Sequence, residues 1–448
     1  MRRVLFILYY FPPAGGAGVQ RGLKFVRYLP EFGWQPSVLT VQEEADFPVR
    51  DETLCAEIPP EMTVRRSRCP ELYGLYRRLS GQKDVRDLEV ASQSGAERRP
   101  LRRLLRGVRA AFFLPDGRMG WIPFAVREGK RMLREIRYDL ICSSGPPFTC
   151  HRIGRALHRW SGIPWVADYR DPWTQATFYP SRPALSRALD LRFEAECVRE
   201  ATRNVIVGQG MADEFHQRYP DLPTEHFMVI SNGFDPADFA DVPYEHPAAF
   251  RITHAGSLFH SRIPYAFFDV VRELLPELPG LGDRLRLCFS GRLDQAGRAE
   301  LQLPPLADLA ELPGYLSHPE SVALLRRSRL LLLLTNQDAQ ARSLLTGKVF
   351  EYLAAGVPIL ALAPLDGDAA RLIRETGAGW VYDHEDRAGI RQRLIQLWQE
   401  EQQAQQADAP PPTDPPQFGL QRRPEEIARY SRRELTRQMA RLFDAAAR

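Results

Sequence analysis

No stretch of the 448-residue sequence approaches the roughly 20 consecutive apolar residues that a membrane-spanning helix needs, so any membrane association is expected to be peripheral. The apolar start, Val4-Leu5-Phe6-Ile7-Leu8, runs into Phe11-Pro12-Pro13 and then glycines, which suits a buried strand better than a secretory leader. Cysteine is sparse. The six residues, Cys55, Cys69, Cys142, Cys150, Cys197 and Cys288, include no C-x-x-C pair, which argues against a zinc site and a disulfide framework and for a reducing cytosol. A strong charge of one sign is missing too: 60 Lys and Arg against 56 Asp and Glu leave a net +4. No RNA- or DNA-binding motif accompanies the arginines, so nucleic acid is not an expected partner.

What is present describes a globular chain with ample core, 44% apolar and 26% charged. Its length exceeds what one core usually serves, so two domains are expected. Short apolar runs alternate with helical patterns, which predicts an α/β fold of parallel sheets flanked by helices. Strands are expected at 4–10, 37–41, 140–143, 165–167, 204–207 and 228–230, and again at 252–255, 285–289, 330–334, 359–362 and 380–382. Ser231-Asn232-Gly233-Phe234-Asp235-Pro236 supplies turn chemistry between the two sets. The boundary is therefore placed after 235, giving domains 1–235 and 236–400.

Between Arg65 and Arg137 there are 19 Lys/Arg against 8 Asp/Glu, a local excess of +11 that leaves the remainder of the chain acidic. Within this basic insert Leu101, Leu104, Leu105 and Val108 recur at helical spacing among Arg102, Arg103, Arg106 and Arg109. Such a helix is either an ordinary solvated one or a contact for anionic lipid headgroups or a lipid-diphosphate acceptor. Residues 401–423 read as a Gln/Pro-rich linker, and 424–448 as a final helix, with Pro424 at its start and Leu435, Met439, Leu442 and Phe443 on its buried face.

Candidate chemistry gathers where strands end. After the first strand, Gly15, Gly16 and Gly18 lead into a helix, so backbone N–H groups can approach an anionic or hydroxyl-rich ligand; the spacing is not G-x-G-x-x-G, which disfavours a nicotinamide cofactor. Asp168, Arg170 and Asp171 follow another strand, as ligand-binding groups or as a loop-fixing Arg–Asp pair. Gly256, Ser257 and Arg262 repeat the glycine turn in the second half, where a nearby cation suits a diphosphate. In Thr346-Gly347-Lys348-Val349-Phe350-Glu351-Tyr352-Leu353-Ala354-Ala355-Gly356, the residues Lys348, Glu351 and Ala355 are expected on one helix face, with Val349, Phe350 and Leu353 packed inward. Glu351 can there accept both hydroxyls of a ribose, or simply pair with Lys348.

Residues 347–360 resemble the nucleotide-sugar-binding helix of family-four retaining glycosyltransferases of the GT-B fold. Residues 9–18 resemble that family's glycine loop, Ser231-Asn232-Gly233-Phe234-Asp235 its interdomain segment, and Leu312-Pro313-Gly314-Tyr315-Leu316 its loop near the nucleobase. The resemblance implies two Rossmann-like doubly wound domains facing an interdomain cleft, the first for the acceptor and the second for the donor, with the last helix returning to the first. It implies transfer of a sugar, with retained anomeric configuration, from a nucleoside diphosphate sugar to a glycan or lipid-linked hydroxyl or phosphate acceptor in cell-surface polysaccharide or glycolipid synthesis. The protein would be cytoplasmic or peripheral at the inner membrane face, with no cofactor and no metal. Glu351 would hold the ribose, Arg262 would replace a lysine at the diphosphate, and Gly314 and Tyr315 would lie near the base. Arg170 stands where relatives carry a histidine, leaving Asp168 or Asp171 for the acceptor. Ser343 stands where the paired-glutamate motif has its first glutamate, so Ser343, Thr346 or Lys348 would supply the missing donor contacts, with Gly347 also in the donor-binding motif. A nucleotide-sugar epimerase and a non-catalytic nucleotide-sugar or glycan-assembly protein are the alternative readings.

Overall fold

The computed structural model describes residues 1–70, 113–175, 179, 182–343, 345–406 and 412–447. The expected arginine-rich helix at 101–109 lies outside them. The chain divides into two compact units, Met1–Ser231 with Leu435–Arg448, and Asn232–Glu434. The division falls four residues before the position read from the turn chemistry.

The first unit is built on a seven-stranded parallel sheet: β1 (Arg2–Ile7), β2 (Trp34–Val41), β3 (Thr63–Ser67), β4 (Leu140–Gly145), β5 (Trp165–Tyr169), β6 (Arg203–Ile206) and β7 (Phe227–Val229), in the order β3-β2-β1-β4-β5-β6-β7. Helices α1 (Ala17–Tyr28), α2 (Ile122–Glu135), α3 (Thr149–Ser161), α4 (Ala184–Glu200) and α5 (Gln209–Arg218) connect the strands. β1, β4 and β5 read as continuous apolar runs because helices cover both faces of a parallel sheet. β3 escaped the sequence reading: Thr63-Val64-Arg65-Arg66-Ser67 is an edge strand whose residues are all half-buried, and its arginines read as the start of the basic insert.

The second unit has a six-stranded parallel sheet of β8 (Phe250–Ala255), β9 (Leu285–Ser290), β10 (Ala310–Gly314), β11 (Leu330–Leu334), β12 (Ile359–Leu362) and β13 (Gly379–Tyr382), in the order β10-β9-β8-β11-β12-β13. Its helices include α6 (Tyr265–Glu277), α7 (Gln295–Leu301), α8 (His318–Arg326), α9 (Gly347–Ala355), α10 (Asp368–Thr376) and α11 (Arg387–Gln406). β10, another exposed edge strand, includes Leu312-Pro313-Gly314, which the sequence had suggested as loop. Both sheets reverse strand order next to their first strand, between β1 and β4 and between β8 and β11, and open sheets bind ligands at the carboxyl ends beside such a point.

The ending differs from the single helix and linker expected. α11 runs to Gln406, into the stretch read as linker, and two helices follow, α12 (Pro424–Ala428) and α13 (Arg432–Ala446). Between them Phe234 forms a parallel bridge with Ser431, its N–H donating to the Tyr430 carbonyl while Arg432 N–H donates to its own. Leu435, Met439, Leu442 and Phe443 of α13 are all at most 3% exposed and join the core of the first unit, where Phe443 meets Trp34 and Phe6 at ring-centroid distances of 5.4 and 6.0 Å.

Candidate active site

In the second unit the turns after β8, β9 and β10 are bound to one another through the backbone. Gly256 N–H donates to the Ser290 carbonyl at 2.8 Å and Gly291 N–H to the Gly314 carbonyl at 2.7 Å. Gly291 has φ +128°, and a β-carbon on it would lie 2.3 Å from the Gly256 oxygen, so neither conformation nor space tolerates a side chain. This arrangement carries Gly256, Ser257 and Gly314 on one sheet edge and leaves the Tyr315 side chain, 64% exposed, beside Gly314.

Beneath Gly256 lies His254, buried, with Nδ1 donating to the Leu332 carbonyl at 3.0 Å. That bond fixes the neutral tautomer and makes Nε2 an acceptor, which has no partner among the described residues. Burial holds the imidazole down to about 4, and the charges of Arg262 and Lys348 push the same way. Arg262 Nε donates to Asn336 Oδ1, and Asn336 Nδ2 to Asp338 Oδ2 at 3.1 Å. The terminal nitrogens of Arg262 pair with no described carboxylate and remain for an anion.

α9 supplies the opposite wall. Val349, Phe350 and Leu353 pack inward as the spacing requires, and Gly356 closes the helix at φ +78°. Thr346 precedes the helix without capping it through its side chain, so the first amides and the positive helix end stay available, with Ser343 half-buried just before. Lys348 Nζ lies 3.5 Å from Glu351 Oε2, both partly exposed. Ala355 does not share that face: it is fully buried, and its carbonyl accepts from Arg326 at 3.0 Å. Tyr352, which the sequence did not single out, turns inward and accepts the Ala255 N–H at 2.8 Å, fixing the end of β8 to the helix that carries Lys348 and Glu351.

In the first unit the predicted residues part company. Asp168 is 1% exposed and takes three contacts of 2.8, 3.1 and 3.2 Å from Arg21 and one of 2.6 Å from Ser144. Burial alone would raise its carboxyl, but the Arg21 guanidinium and the Ser144 hydroxyl hold it below the usual range. Asp168 is thus a buried positioning group, with its oxygens engaged inside the fold. Arg21 also donates to the Ile230 and Ser231 carbonyls at 2.8 and 2.6 Å.

Arg170 ties loops together by donating to the carbonyls of Gly145, Gly18 and Pro146, so it joins the turn after β1 to the turn after β4. Gly15 packs against Asp51, while Gly16 and Gly18 are exposed at the amino end of α1. Asp171, half-buried, is pushed up to about 6 by burial, an effect that Arg170 opposes in part. Gly145 repeats the arrangement of Gly256: a β-carbon there would lie 2.8 Å from Nε2 of His151, a buried imidazole held down to about 3 by burial. No group of three or more potential metal ligands occurs among the described residues.

Residues 72–238 match the family model described as Glycosyltransferase Family 4. No curated protein matches the chain. Among solved structures, a sucrose-phosphate synthase from Thermosynechococcus elongatus aligns over 99% of each chain at 12% identity with a TM-score of 0.61. A glycosyltransferase from Rickettsia africae aligns over 99% of this chain and 98% of its own at 10% identity and 0.58. The lipopolysaccharide outer core galactosyltransferase WaaB aligns over 99% of each at 13% and 0.56.

Proposed function

From a GT-B fold whose residues 72–238 carry a Glycosyltransferase Family 4 domain, we propose that this enzyme transfers a sugar from a nucleoside diphosphate sugar to a hydroxyl or phosphate acceptor of a surface polysaccharide or glycolipid, retaining the anomeric configuration. The observation that carries this reading is the bond from the Ala255 N–H to the Tyr352 hydroxyl, which ties the Gly256 turn to the helix that carries Lys348 and Glu351, with Arg262 on the segment that follows the turn.

The transition state of such a transfer is oxocarbenium-like, and negative charge builds on the departing diphosphate. Fixed cations and oriented amides stabilise that charge without reorganising, and neither needs a metal. Arg262 and Lys348 would take the phosphate oxygens and Glu351 the ribose hydroxyls, while exposed Tyr315 offers a face to the base. Ser257, Ser343 and Thr346 supply hydroxyls for the remaining donor contacts. The acceptor falls to the first unit, where Gly16, Gly18 and Asp171 lie at the sheet edge that Arg170 organises.

The reading is tested by thermal shift and donor hydrolysis with UDP-, GDP-, ADP- and dTDP-sugars in the presence of EDTA. One nucleotide is expected to raise the melting temperature, and Glu351→Ala to weaken that nucleotide by about tenfold or more, the value of a charge-assisted hydrogen bond. Stabilisation without hydrolysis or transfer would favour a non-catalytic binding protein. No stabilisation by any donor would remove the donor site assigned to Arg262, Lys348 and Glu351.

A further inference from the structure

Arginines in the α3–α4 part of the first unit sit against carboxylates: buried Arg155 against Glu196 and Glu200, and exposed Arg159 against Glu200 and Arg192 against Glu196. α2 departs from this pattern. Arg127, Lys130 and Arg134 on the helix, with Arg137 two residues beyond its end, pair with no carboxylate among the described residues. The spacing of three and four places Arg127, Lys130 and Arg134 along one side of the helix, and Arg137 follows past its end, after the extended Ile136. The glutamates of α2 lie on its other flank, Glu135 engaged by Arg65 and Arg131.

A tryptophan sits over the middle of this stripe. Trp160, in the last turn of α3, is 42% exposed, and both Lys130 Nζ and the Arg134 guanidinium carbon lie 5.3 Å from its ring centroid. The close seating of α2 on α3 brings them together, since a β-carbon on Gly129 would lie 2.5 Å from Leu157 Cδ1. Phe124, one turn before Arg127, is also exposed. Beside Arg134 an open recess of about 510 Å³ is lined by two guanidiniums and a carboxylate, those of Arg134, Arg137 and Asp139, with Tyr138 and Ser161.

Unpaired like charges along one helix repel one another, and a half-exposed indole keeps apolar area in water. A surface carrying both is complementary to a partner with a negative polar layer over an apolar one. An anionic bilayer has that layering: basic residues meet its phosphates, and an indole settles at headgroup depth. We propose that the face formed by Arg127, Lys130, Arg134 and Arg137 around Trp160 docks the protein on an anionic lipid surface. The face shares no residue with the donor site, so failure of this proposal leaves the donor reading untouched, and the reverse.

The test is co-sedimentation of the full chain with phosphatidylcholine vesicles with and without phosphatidylglycerol, at low and high salt. Binding is expected only with the anionic lipid and should weaken with salt. The double change Lys130→Glu with Arg134→Glu should reduce it by at least about tenfold. Trp160→Ala should reduce it several-fold, Arg134→Lys should leave it near wild type, and all variants should keep their donor hydrolysis. Equal binding to neutral vesicles overturns the proposal, as does binding that survives the double reversal. So does loss of binding only when Arg102, Arg103 and Arg106 are changed. Tight binding to an oligonucleotide without vesicle binding would assign the stripe to nucleic acid and overturn it as well.

Discussion

Two carboxylates three residues apart, Asp168 and Asp171, have the same chemistry and opposite surroundings. Asp168 is buried against a guanidinium, whereas Asp171 is half-buried with burial winning over its neighbouring Arg170. Removing one partner of a buried ion pair leaves the other charge uncompensated, which costs roughly 3–5 kcal/mol. Arg21→Ala is therefore expected to destabilise the first unit by that amount in urea unfolding, and Arg21→Ala combined with Asp168→Ala by less than the sum of the single changes. Equal additivity would show that the pair is not coupled. The sequence marked both aspartates as acceptor candidates because each follows the same strand. It could not show that Asp168 is occupied, since Arg21 lies 147 residues away on α1. One local sign existed: an aspartate inside the apolar run Trp165-Val166-Ala167-Asp168-Tyr169 must meet a cation somewhere.

At the level of elements, the donor site is three turns and one helix end bound by backbone. Gly291→Ala is expected to cost at least about 2 kcal/mol, because a methyl group there meets the Gly256 carbonyl and the backbone is left-handed. The loss should appear as a lower melting temperature together with weaker donor binding, whereas Gly347→Ala, with open space around it, should leave the melting temperature nearly unchanged. The buried strands and α9 were legible, because periodicity and glycine punctuation act over a few residues. Edge strands β3 and β10 were not, since an edge carries charge and proline where an inner strand carries valine and leucine. Tyr352 and His254 escaped for a related reason: their orientation depends on neighbouring strands, not on their own segment.

Over the whole molecule, each unit keeps a neutral imidazole under a glycine turn. His151 and His254 have folded values of about 3 and 4, below the 6.5 of an unfolded histidine. Each therefore contributes stability that is complete above about pH 6.5 and falls as the pH drops toward the folded value. Asp171 acts in the opposite sense, since its folded value of about 6 lies above the unfolded one, so the first unit gains stability as the pH falls from about 6 to 4. Acidification from pH 7 to 5 should thus open the second unit before the first, read as faster hydrogen exchange in β8 and α9 than in β4 and β5. The reverse order would show that other groups govern the acid response. The chain passes from the first unit through the second and comes back for Leu435–Arg448. During synthesis, Phe6 and Trp34 must consequently wait for their cover until about 400 further residues have been translated, roughly 20–80 s at ordinary ribosomal speeds. A nascent chain stalled within the second unit would present that bare apolar patch to a chaperone, and a released full-length chain would not.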